Sequence, residues 1–125
     1  MTNTMMCLSL LLFHESRGES LKGQVAVMEV VMNRVQDSRF PKTPCAVIKQ
    51  KSQFSWTSNP NNLKPPKYEY KAWEQSQKVA TDYLSKRNNG IKTNYANGAL
   101  YFNHKKLGVR FNKQLKAKYG NHVFF

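Results

Sequence analysis

The sequence predicts an α+β fold, mainly helical, with short strands behind the helices. Apolar residues recur at three-and-four spacing over three long stretches before residue 90, and Pro, Asn and Gly clusters separate those stretches. The β-prone runs Ala99-Leu100-Tyr101-Phe102 and His122-Val123-Phe124-Phe125 are short and both lie in the C-terminal third.

The elements follow in order. Asn3 or Thr4 can cap a first helix through Met5, Leu8, Leu11 and Leu12, ending near Gly18, where a residue without Cβ lets the chain turn. Ser20 is the natural cap of a second. Val27, Met28, Val31, Met32 and Val35 keep its period, and Val25, Ala26 and Val30 thicken the apolar face, so this helix is expected to be buried nearly all round. Phe40-Pro41-Lys42-Thr43-Pro44 breaks the pattern, and Pro44 opens a short helix through Cys45, Val47 and Ile48. Gln53-Phe54-Ser55-Trp56 reads as a short extended segment, followed by a polar loop from Thr57 to Lys67. A third major helix runs from about Tyr68 to Lys86 on Tyr70, Trp73, Gln77, Ala80, Thr81 and Leu84. Asn88-Asn89-Gly90 stops it. No linker or repeat divides the chain, so residues 1–125 are expected to form one domain.

Charge bounds the function. The chain of 125 residues carries 20 Lys+Arg against 7 Asp+Glu, a formal net charge of +13, while 40% hydrophobic content can supply a core and excludes a disordered basic tail. Residues 61–125 hold thirteen of the basic and three of the acidic residues, and none is acidic after Asp82. Such a field favours an anionic partner: nucleic acid, an anionic membrane surface or an acidic bacterial envelope polymer. Tyr95, Tyr101, Phe102, Phe111 and Tyr119, interleaved with the bases, can stack on nucleobases, line a saccharide cleft or fill a core, and no common nucleic-acid motif is present. The apolar run Met5–Phe13 is too short to span a bilayer and lacks the flanks of a signal peptide. A soluble protein made in the cytoplasm, without stable membrane insertion, is expected. Cys7 and Cys45 can be free thiols or one bridge, depending on the fold.

Seven carboxylates can be weighed one by one. Glu15 and Glu19 lie in Phe13-His14-Glu15-Ser16-Arg17-Gly18-Glu19, at the end of an apolar helix. A carboxyl facing a low-dielectric wall is held protonated towards neutral pH, as a general acid requires, whereas pairing of Glu15 with Arg17 or with a basic residue elsewhere would make it an ordinary helix-end acid. His14, His104 and His122 invite a zinc site, but none has the close spacing of a ligand pair. No phosphate loop or nucleophile elbow occurs.

A series of blocks, in order, carries a resemblance. Cys7-Leu8 leads to the Phe13–Glu19 motif, then to Gly23-Gln24-Val25-Ala26-Val27 and Val31-Met32-Asn33-Arg34-Val35. Phe40-Pro41 with Cys45-Ala46-Val47-Ile48, Gln53-Phe54-Ser55, Ala99-Leu100-Tyr101-Phe102 and the terminal Gly120-Asn121-His122-Val123-Phe124-Phe125 follow. Together they resemble the cell wall hydrolase family typified by the spore cortex-lytic enzyme SleB. Ser16 stands where alanine is usual, Phe13 where tyrosine is commoner, and Val109-Arg110-Phe111 replaces a Pro-x-Trp.

The resemblance implies a lysozyme-like α+β domain that cleaves peptidoglycan glycan between N-acetylmuramic acid and N-acetylglucosamine, as a lytic transglycosylase of the phage endolysin type. It places the catalytic glutamate at Glu15. Gln53, Ser55 and Tyr101 fall in matched blocks and are expected to line the substrate cleft or to satisfy buried backbone groups. Glu19 is a possible second carboxylate or a first-turn acid of the following helix. No metal or cofactor is implied. The partners implied are peptidoglycan strands and an anionic envelope, with the enzyme a monomer. The alternatives are a zinc-dependent N-acetylmuramoyl-L-alanine amidase using His14, His104 and His122, and a basic nucleic-acid-binding protein.

Overall fold

A computed structural model describes residues 2–125. The Thr2 hydroxyl accepts from the Met5 N–H at 3.1 Å, so helix α1, Asn3–Leu11, is capped just ahead of the expected Asn3 or Thr4. It passes without a break into a wider π-helical turn, Leu12–Ser16, and the chain then turns at Gly18, whose φ of +85° a residue with a Cβ rarely adopts. Ser20 caps α2, Leu21–Gln36, by accepting from the Gly23 N–H at 3.1 Å.

The middle of α2 is buried on all sides, as its apolar crowding predicts. Ala26, Val27, Met28, Val30 and Val31 are sealed among Leu8, Leu11 and Leu12 of the first helix, Val47 and Ile48, and Ala80. Glu29 and Arg34 of the same helix are buried as well, at 4% and 3% exposure. The Glu29 carboxylate accepts from the backbone N–H groups of Ala96 (2.7 Å) and Tyr95 (3.1 Å) and from the Thr93 hydroxyl. These bonds replace the water lost on burial and fasten the 93–96 segment to the central helix.

Thr43 caps α3, Pro44–Ile48, with Pro44 in its first turn. Cys7 and Cys45 form a disulfide across a Cα–Cα distance of 5.4 Å and tie α1 to α3. The expected extended segment at 53–56 is found only at Phe54. Ser55–Ser58 coils into a 3₁₀ turn because the Thr57 N–H and hydroxyl both donate to the Phe54 carbonyl, and the Ser58 hydroxyl donates to that of Ser55. Short hydroxyl side chains thus offer the backbone partners that a strand would otherwise supply. A second 3₁₀ turn, Pro60–Leu63, stiffens the loop that follows. Helix α4, Tyr70–Asn88, packs Trp73, Val79, Ala80 and Tyr83 inward against α1 and α2.

The sheet has three strands rather than two: β1 Phe102–His104, β2 Ala117–Tyr119 and β3 His122–Phe124. All pairs are antiparallel, in the order β1-β3-β2, with Phe102 opposite Phe124 and Tyr119 opposite His122. The missed strand β2 is Ala-Lys-Tyr, too short and too polar to announce itself, and it pairs because the turn at Gly120 folds it onto β3. The β-prone residues Ala99–Tyr101 precede β1, and Tyr101 and Phe125 exchange backbone hydrogen bonds at 2.9 Å. No helix among the described residues is long and apolar enough to cross a membrane.

Candidate active site

Glu15 lies in the π-helical turn that ends the first helical stretch, next to Phe13, which is fully buried. Single π turns often coincide with functional positions because they re-aim side chains that an α-helix would stack. The turn is held from several sides. The Ser16 hydroxyl donates to the Leu12 carbonyl at 3.3 Å, Arg17 Nη1 donates to the Phe13 carbonyl at 3.1 Å, and Gln24 Nε2 donates to the carbonyls of Ser16 and Glu19, both at 3.2 Å. A buried amide on α2 thereby fixes the segment that leaves the turn.

Burial pushes the Glu15 carboxyl up to about 7, and no opposing charge or hydrogen bond counters it. The expected competitor for its charge is engaged elsewhere. Arg17 pairs with Glu69 at 3.3 Å and lies over the Phe13 ring at 4.3 Å, which removes the ordinary helix-end ion pair as a reading of Glu15. Burial, assisted by the charge of Arg17, also holds His14 below its usual value, against a contact with the Asn62 backbone. The imidazole stacks on Trp56 with ring centroids 4.5 Å apart.

Glu19 behaves oppositely. Its carboxylate accepts from the Asn121 N–H at 2.9 Å and from Asn121 Nδ2 at 3.1 Å, and these bonds hold it below the usual carboxylate range. The hairpin approaches so closely that a Cβ on Gly120 would stand 2.5 Å from Glu19 Oε1. Two carboxyls in one motif therefore differ, one kept protonated up to about pH 7 by burial and one favoured in its ionised form by its hydrogen bonds.

Gln53 and Tyr101 come together, lining one pocket of about 200 Å³. Arg34 joins them: its Nη1 donates to Gln53 Oε1 at 3.0 Å, and its guanidinium lies 5.2 Å from the Tyr101 ring centre. Tyr101 also stacks on Phe125 at 5.7 Å. Ser55 does not line that pocket; it is exposed at the start of the 3₁₀ turn. Arg34, Gln24 and Trp56 stood in the quoted motifs or beside them, yet nothing in their spacing marked them as parts of a site.

The zinc arrangement does not assemble. His104 and His122 face each other across β1 and β3 while His14 stacks on Trp56, and no group of three His, Cys, Asp or Glu among the described residues is placed to hold a metal ion. A larger depression of about 720 Å³ on the outer face of α4 shares no residue with the motifs.

A family model described as Cell Wall Hydrolase matches residues 18–125. The chain belongs to the cell wall hydrolase family. Glu15 lies just ahead of the matched span. The catalytic domain of the germination-specific lytic transglycosylase SleB from Bacillus anthracis is 25% identical at a TM-score of 0.77, over 99% of this chain and 94% of that one. The catalytic domain of the Bacillus cereus SleB protein is 26% identical at 0.76, over 98% and 88%. No curated protein sequence matches the chain. This cell wall hydrolase thus shares the mixed helical fold and small sheet of the SleB catalytic domains, and it is a muralytic enzyme.

Proposed function

We propose that this cell wall hydrolase cleaves the bond between N-acetylmuramic acid and N-acetylglucosamine as a lytic transglycosylase, acting through one domain and one catalytic residue, Glu15. The observation that carries this reading is a carboxyl raised to about 7 by burial alone, in a motif whose other carboxylate is spent on Asn121.

Glycoside hydrolysis ordinarily takes two carboxylates, one as acid and one as nucleophile or base. A transglycosylase needs one. The Glu15 carboxyl gives its proton to the glycosidic oxygen as the bond from that oxygen to the muramic C1 breaks. The muramic C6 hydroxyl then attacks C1 and gives its proton to the Glu15 carboxylate, closing a 1,6-anhydro ring and restoring the acid. No water enters, so no second base is required. The lytic transglycosylase named among the structural relatives supports this choice over hydrolysis. Gln53 and Tyr101 are proposed to contact the glycan, with Ser55 at its edge, and the phage endolysin role implied by the resemblance belongs to the same reading.

Mass spectrometry of digested muropeptides tests it. A product lighter by one water at the muramic end is expected. A reducing end would make the enzyme a hydrolase, and free stem peptide would make it an amidase.

A further inference from the structure

The glycan backbone of acetamido sugars is uncharged, yet two arginines, Arg34 and Arg110, and no Asp or Glu line the Gln53–Tyr101 pocket. We propose that the pocket between Arg34, Tyr101 and Arg110 is a carboxylate-binding subsite for the acidic substituent carried by muramic acid; this rests on the peptidoglycan reading above.

Arg34 is the first reason. It is 3% exposed, its Nε donates to the Leu100 carbonyl at 2.6 Å and its Nη1 to Gln53 Oε1, so both acceptors are neutral. No ion pair among the described residues reaches it, and Asp and Glu are absent from the pocket lining. A buried cation without a counter-charge is costly, and a carboxylate entering the pocket would supply the missing charge. Burial accordingly holds the guanidinium below its ordinary value.

The second reason is Arg110. It is exposed on the pocket wall and belongs to no ion pair among the described residues, and Lys113 Nζ, outside the pocket lining, stands 5.5 Å from the Tyr101 ring centre. Phe111 and Asn112 follow it with φ of +61° and +53°. A left-handed backbone is unfavourable for a residue as bulky as phenylalanine and is commonly kept where function needs it. Here the strained turn keeps the Phe111 ring 5.1 Å from Tyr101 and Arg110 on the wall. A guanidinium fork matches a carboxylate in two parallel hydrogen bonds.

Two carboxylates of the substrate have this chemistry: the lactyl group of a peptide-free muramic acid, and the acidic residues of a stem peptide. Binding measured calorimetrically in a Glu15→Gln background separates them without turnover. The probes are strands bearing stem peptides, peptide-free strands, and peptide-free strands whose lactyl carboxylates have been converted to amides. Adding Arg110→Gln is expected to weaken acidic strands about tenfold, the scale of one charged hydrogen bond, and to leave amidated strands unchanged. A loss confined to stem-bearing strands names the peptide as the source, and a loss on peptide-free strands names the lactyl group. Arg110→Lys should recover part of the affinity, and Lys71→Gln, an equal charge loss on α4, should change every strand alike and little. An equal effect of Arg110→Gln on all three strands, no effect on any, or no binding at all would overturn the subsite. Cleavage of the amidated strands by the wild-type enzyme and not by Glu15→Gln tests the catalytic reading separately. Cleavage with flat binding sinks the subsite alone, and selective binding without cleavage sinks the catalytic reading alone.

Discussion

Glu19 holds Asn121 across the length of the chain, accepting from its backbone N–H at 2.9 Å and its side-chain amide at 3.1 Å. The turn that follows Glu15 is thereby clamped to the β2–β3 hairpin. Glu19→Gln keeps the shape and removes the charge. It should destabilise the fold by about 1 kcal/mol, the charged-bond value reduced for solvent exposure. Because the bonds hold the folded carboxyl below its ordinary value, the stability they add is present above about pH 4.3 and is lost as pH falls through the folded value. Thermal unfolding of both proteins should therefore differ at pH 7 and converge in acid. A constant difference down to pH 2 would contradict the clamp.

Glu15 carries the opposite sign. A general acid must be protonated, so kcat/KM should fall about tenfold per pH unit above 7, where burial sets the carboxyl. Its raised value favours the fold fully below the ordinary carboxylate range and loses that advantage as pH rises towards 7. Glu15→Gln should therefore cost at least a hundredfold in activity and make the protein more stable at pH 8, by on the order of 1–2 kcal/mol once contact with water is discounted. Turbidity clearing and a melting curve at pH 8 measure both. Wild-type clearing by Glu15→Gln would remove the residue from the mechanism.

The Cys7–Cys45 bridge closes a loop with a sequence separation of 38. Chain entropy puts its contribution at about 4 kcal/mol, so Cys45→Ser, or reduction, should lower the denaturant midpoint substantially. Since α1 leads directly into the Glu15 turn, activity should be lost at lower denaturant as well. Equal midpoints with and without reductant would show that helix packing holds α1 unaided.

The acid-free stretch after Asp82 is expected to draw the enzyme to an anionic envelope. Clearing of whole peptidoglycan should then decline as salt rises from 0.05 to about 0.5 M, over which the Debye length shrinks to a few ångströms. Flat activity over that range would leave the charge a matter of solubility.

Much of this was legible in one dimension. The Ser20 cap, the crowded apolar face of α2, the proline that opens α3 and the asparagine–glycine stop after α4 are local signals, and each fell within a residue or two of its place. The 53–56 segment misled because Phe and Trp favour strands while the hydroxyls of Thr57 and Ser58 bond backward, a competition decided by geometry. Strand β2 exists only because Gly120 returns it to β3.

The sequence by itself determined the helical scaffold, the basic C-terminal half and, through the ordered blocks, the motif in which Glu15 stands. Only the tertiary structure decided what surrounds that carboxyl. Whether Arg17 would neutralise Glu15, whether Glu19 would act beside it and whether Arg34 would face a counter-charge depend on residues distant in the chain: Glu69, Asn121 and Gln53. Protonation follows from burial and from the groups within a few ångströms, and spacing along the chain encodes neither.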